Sequence, residues 1–98
     1  MKESGQKQER IALFPGSFDP FTIGHQSLVK RGLALADRII IAIGINENKQ
    51  SCFPLEERLT AIRSLFQDDP RIEVITYHTL TTDLAEKTGA QFILRGIR

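Results

Sequence analysis

Residues 39–43 read Ile-Ile-Ile-Ala-Ile, an apolar run without alternation, introduced by Arg38 and closed by Gly44. A strand with one wet face alternates polar and apolar side chains. A run apolar at every position is covered on both faces, as inside a parallel sheet. Parallel strands need crossover connections, so helices must lie between them and pack on the sheet.

The flanking segments supply those helices and the remaining strands. Ile11–Phe14 is a short apolar run that Pro15 and Gly16 should stop at a sharp turn. The recurrence of Leu28, Val29, Leu33, Leu35 and Ala36 beside Gln26, Lys30 and Arg31 predicts a helix from about His25 to Ala36. Pro54, Glu56 and Glu57 suit a first helical turn, where a missing N–H and negative charge are tolerated or favoured. That helix should face inward with Leu55, Leu59, Ile62 and either Leu65 or Phe66, and stop before Asp68-Asp69-Pro70. Arg71–Tyr77 predicts a third strand, Thr82–Thr88 a third helix capped by Gly89, and Gln91–Leu94 a fourth strand. The order β-α-β-α-β-α-β predicts an α/β, Rossmann-like parallel sheet with right-handed crossovers. Its ligand should sit outside the carboxyl ends of the strands, where the strand order reverses. There the loops Pro15–His25 and Asn46–Phe53 and the segment Arg95–Arg98 should converge.

Composition narrows the function. The 98 residues suit one domain, with Met1–Glu9 a polar lead-in and residues 10–98 the folded body. The formal net charge is +1, and the surplus lies in the first ten residues, leaving a neutral body. Duplex nucleic acid demands a large basic surplus, so no nucleic-acid partner is expected. Cys52 is the sole cysteine, which excludes an internal disulfide and a four-thiolate zinc site. The apolar run is far shorter than the roughly 20 residues that span a bilayer, and Met1–Arg10 has no signal-peptide character. A cytoplasmic protein without membrane partners is expected.

The first loop carries the chemistry: Pro15-Gly16-Ser17-Phe18-Asp19-Pro20-Phe21-Thr22-Ile23-Gly24-His25. Glycine after a strand lets a phosphate approach the backbone, and Gly-His at a helix start offers N–H groups and an imidazole to the same anion. Neither the dinucleotide fingerprint nor the Walker loop is present. Ser17 and Thr22 carry hydroxyls suited to helix capping or phosphate donation.

Gly16-Ser17-Phe18-Asp19-Pro20 followed by Thr22-x-Gly24-His25 resembles the signature of the nucleotidylyltransferase superfamily. Within it, Lys49, Phe53-Pro54-Leu55-Glu56-Glu57-Arg58 and Leu94-Arg95-Gly96-Ile97-Arg98 resemble the phosphopantetheine adenylyltransferase family. The resemblance covers about Arg10 to Arg98, with Ser17 where the family commonly has threonine. It implies adenylyl transfer from ATP to 4′-phosphopantetheine, giving dephospho-coenzyme A and pyrophosphate. His25, Lys49 and Thr22 are then the catalytic candidates. Ser17, the main chain of Phe18, His25, Gly96 and Arg98 would meet ATP; Ser17, Lys49, Thr81 and Arg95 would meet the acceptor. The resemblance further implies magnesium brought by ATP, coenzyme A as a product-like inhibitor, and a homo-hexamer.

Other nucleotidylyltransferases, acting on pyridine nucleotides or forming cytidylyl products, are the alternative, and so is a non-catalytic nucleotide-binding module. Family members continue past Arg-Gly-x-Arg with another strand and a second ATP-binding segment. The chain therefore reads as an amino-terminal portion, with four strands of an expected five. Glu56, Glu57 and Arg58 read as helix-start and surface charges, Asp19 as a loop organiser, Cys52 as a small semi-buried residue, and His78 as a satisfied or solvated imidazole.

Overall fold

In the computed structural model, which describes residues 9–45, 54–78 and 81–94, strands and helices alternate without exception. They are β1 (Ile11–Gly16), α1 (Ile23–Gly32), β2 (Arg38–Gly44), α2 (Leu55–Leu65), β3 (Ile72–Tyr77), α3 (Thr81–Thr88) and β4 (Phe92–Ile93). The four strands form one sheet in the order β3-β2-β1-β4, and every pairing is parallel. The Rossmann-like α/β architecture expected from the isoleucine run is the one observed.

The run itself explains why. Ile39, Ile41 and Ile43 pack with Val29 of α1 and Ile62 of α2 on one face of the sheet. Ile40 and Ala42 pack with Leu84 of α3 on the other. The first two crossovers therefore lie on one face and the third on the opposite face, as right-handed connections require when the chain returns past β1 to lay down β4.

Three local expectations are corrected. Proline does not end β1: Pro15 lies opposite Ala42, and Gly16 opposite Ile43. The carbonyls of Ile11 and Leu13 accept from Gln91 and Leu94 on the β4 side, at 2.9 and 2.8 Å. Pro15 has their parity, so its missing N–H falls on that side and leaves the β1–β2 ladder intact. Helix α1 stops at Gly32 rather than Ala36, and Leu35 lies 64% exposed in the turn beyond it. A side chain at position 32 would come within 2.7 Å of Leu94 and 2.9 Å of Ile39, so glycine lets the helix end settle on the sheet. Pro54 is the N-cap of α2 rather than part of its first turn.

Elsewhere the expected boundaries hold to within one or two residues. Phe66, not Leu65, turns inward at the end of α2. Gly89 closes α3 at φ +76°, a conformation glycine adopts freely. No helix among the described residues is long and apolar enough to cross a membrane.

Candidate active site

Strand order reverses at β1, whose neighbours β2 and β4 are reached in opposite directions. A ligand crevice is expected outside the carboxyl ends of such strands. A cleft of about 450 Å³ lies there, lined by the chain from Phe14 through Pro20 and by Thr22 and His25.

His25 sits in a capping box that decides where its proton resides. Thr22 is the N-cap of α1, and its hydroxyl accepts from the His25 N–H at 3.3 Å. In return the Thr22 N–H donates to Nδ1 of His25 at 2.9 Å, and the Thr22 hydroxyl lies 3.1 Å from the same nitrogen. A backbone N–H can only donate, so Nδ1 is the acceptor and the neutral ring carries its proton on Nε2. Partial burial disfavours the charged imidazolium and lowers the His25 pKa below 6.5. At neutral pH the side chain is therefore a neutral Nε2–H donor on the wall of the cleft.

Aromatic rings hold that imidazole in place. Phe18 meets it edge-on with centroids 5.1 Å apart, Phe21 lies at 5.3 Å and Phe14 at 6.0 Å. Phe18 itself is 3% exposed, in line with the expectation that its side chain is core. Its backbone has φ +48°, the left-handed region that costs a residue with a Cβ about 1–2 kcal/mol. Gly16 accommodates the ring: a Cβ there would stand 3.0–3.3 Å from three of its carbons.

The loop is also held from α2. Arg58 is 9% exposed, and its Nη1 donates to the Ser17 carbonyl at 2.7 Å. The expectation of a surface charge is thus wrong for this residue. The sequence did hold a signal. Glu56 and Glu57 complement the positive end of the helix dipole, but a cation one position later opposes it and needs another reason to be there.

Of the expected site residues, Ser17, Phe18, Thr22 and His25 all line the one cleft. Thr81 begins α3, just past the carboxyl end of β3. Lys49, Arg95, Gly96 and Arg98 lie outside the described residues, as does Cys52. His78 is exposed immediately after β3. The contributions of Phe14 and Phe21, and the partner of Arg58, are visible only in the folded chain.

A parallel sheet of order 3-2-1-4, helices on both faces, and a glycine-to-histidine loop at the reversal define a Rossmann-like α/β domain with its cleft at the switch point. More narrowly, the chain belongs to the cytidylyltransferase-like family, whose profile matches residues 13–98. It is 60% identical over 89 residues to the phosphopantetheine adenylyltransferase of Bacteroides thetaiotaomicron, an overlap of 91% of this chain and 59% of that protein. The Flavobacterium johnsoniae protein of the same name is 56% identical over the same shares. The chain thus spans about 59% of the length of these curated relatives. Among solved structures, the NadR protein in complex with NAD and AMP-PNP superposes with a TM-score of 0.65 and 26% identity, over 72% of this chain and 21% of that one. A bifunctional NMN adenylyltransferase/ADP ribose pyrophosphatase from Francisella tularensis does so with a TM-score of 0.63 and 25% identity, over 83% and 25%.

Proposed function

We propose that the complete protein transfers AMP from ATP to 4′-phosphopantetheine, releasing dephospho-coenzyme A and pyrophosphate. The observation that carries the reaction type is the neutral Nε2–H of His25, fixed by the capping box on the wall of the switch-point cleft. The choice of acceptor is supported by relatives 56–60% identical that are named phosphopantetheine adenylyltransferase.

The chemistry suits a site built from donors. An acceptor phosphate oxygen forms a bond to the α-phosphorus of ATP, and the bond from that phosphorus to the bridging oxygen breaks. Its electron pair leaves on pyrophosphate. The nucleophile is already an anion, so no general base is required, and catalysis consists of alignment and charge stabilisation. His25 would donate from Nε2 to the phosphates of ATP as charge redistributes, the kind of contribution worth on the order of 10²–10³ in rate. Thr22 would fix that donor through the cap. Ser17 would offer its exposed hydroxyl to the acceptor phosphate, and the Phe18 main chain a contact to ATP.

Residues 10–98 would form the amino-terminal portion of the catalytic domain. By family resemblance Lys49 would bridge the reacting phosphates, Gly96 and Arg98 would meet ATP, and Thr81 and Arg95 the acceptor. Magnesium would arrive with ATP as part of the substrate. No three His, Cys, Asp or Glu side chains gather into a metal site among the described residues. A cytoplasmic homo-hexamer inhibited by coenzyme A completes the proposal.

Pyrophosphate release by the complete protein, measured with ATP and either 4′-phosphopantetheine, nicotinate mononucleotide or glycerol phosphate, tests the assignment. Turnover with the first is expected; turnover only with the other two overturns it. His25→Ala should lower kcat at least about tenfold.

A further inference from the structure

The Ser17–Phe18 peptide lies on the wall of the cleft, and its carbonyl is held by a charged side chain 41 positions away. Arg58 is an expensive residue to place there. It is nearly buried, and it occupies the fourth position of α2, where its own N–H makes the first helical bond, to the Pro54 carbonyl at 3.1 Å. A cation in that turn works against the helix dipole. Helix stability does not account for it, whereas the 2.7 Å bond to the Ser17 carbonyl does.

That bond bears on the next residue. In a trans peptide the carbonyl and the following N–H point in opposite directions across one rigid plane. Drawing the Ser17 carbonyl toward α2 therefore turns the Phe18 N–H away from α2. The same plane leads into the left-handed backbone of Phe18, a conformation that persists only where its surroundings over-determine it. The Phe18 ring is fixed by Phe14, Phe21 and His25, and Arg58 fixes the main chain on its other side.

We propose that Arg58 is a positioning residue of the nucleotide site, setting the Ser17–Phe18 peptide plane so that the Phe18 N–H is presented to a phosphate group in the cleft. The role of the phosphate rests on the adenylyl-transfer function proposed above; the setting of the peptide plane does not. Arg58 acts through the loop rather than by touching the reacting atoms.

The test compares the complete protein with Arg58→Met and Arg58→Lys, each checked for folding by thermal unfolding. ATP affinity is read by titration calorimetry, KM for each substrate by pyrophosphate release, and the Phe18 amide by selective ¹⁵N-phenylalanine labelling. Arg58→Met should displace the Phe18 amide resonance, weaken ATP at least tenfold and move the acceptor KM much less. Arg58→Lys, with a point charge in place of a fork, should weaken ATP only severalfold. A folded Arg58→Met with an unmoved Phe18 amide and ATP affinity within twofold of the parent overturns the proposal. Should Arg58→Met not fold, an unmoved Phe18 amide and unchanged ATP affinity in Arg58→Lys overturn it instead. A parent protein that binds no ATP refutes the proposed function, and the Phe18 resonance then still decides whether Arg58 sets the peptide plane.

Discussion

His25 shows how a single side chain acquires a defined chemical state from its neighbours. The Thr22 N–H occupies Nδ1, and protonating that nitrogen would set two donors against each other at 2.9 Å. Because burial lowers the folded pKa below 6.5, the unfolded chain takes up this proton first as pH falls. The contribution of the site to stability is therefore complete above about pH 6.5 and is lost as pH falls through the lower, folded value. Nitrogen-15 spectra of the imidazole should show an unprotonated Nδ1 at pH 7 and a midpoint below 6.5; a protonated Nδ1 would contradict the cap geometry, and a midpoint above 6.5 the effect of burial. Asp69 is a simpler case of the opposite chemistry. Its carboxylate accepts from the Arg71 Nε, Nη2 and N–H at 2.9, 2.8 and 3.0 Å, which lowers its pKa to about 2. Its contribution is complete above the unfolded value near 3.8 and disappears as pH falls through about 2. Carbon-13 titration of the carboxyl should find it ionised at pH 3, and Arg71→Ala, which keeps only the backbone N–H donor, should raise its midpoint.

At the scale of elements, the segment from the end of β1 to the start of α1 works as one unit. Gly16 closes the strand, Phe18 turns the chain and fills the space beneath Gly16, and the Thr22–His25 cap starts the helix. Gly16→Ala puts a methyl group 3.0 Å from a buried aromatic ring, so the ring must move, and His25 meets that ring edge-on. The expected outcome is a changed His25 resonance and weaker nucleotide binding in a protein that still folds. Binding and spectra equal to the parent would show that the loop absorbs the methyl elsewhere. The motif that marks this unit was readable before folding because its residues are adjacent in the chain. Arg58 was misjudged because its partner is a main-chain carbonyl on another element, which no local pattern encodes. The early end of α1 has a similar cause: Gly32 stops where Leu94 and Ile39 crowd it, and both come from other strands or their flanks.

For the whole molecule, one sheet clamped between helices on both faces makes the core the common support of every loop. Ile62 is fully buried where α2 meets the sheet, in the cluster that includes Phe14 and Phe18. Ile62→Ala should destabilise the fold by about 2–5 kcal/mol, seen as a lower urea midpoint. A loss under about 1 kcal/mol would mean that this face repacks without leaving a cavity. What the chain determined by itself was whatever rests on periodicity and on contiguous residues: the two-sided burial of β2, the alternation of strands and helices, and the glycine-to-histidine loop with its carboxyl-end location. Hydrophobic spacing and turn chemistry are short-range properties and are written in order along the chain. Tertiary structure alone decided the proton position on His25, the aromatic cage around it, the parity that admits Pro15 into a strand, and the burial of Arg58. Each depends on groups brought together across the sheet, where distance and desolvation, rather than order in the chain, set the energy.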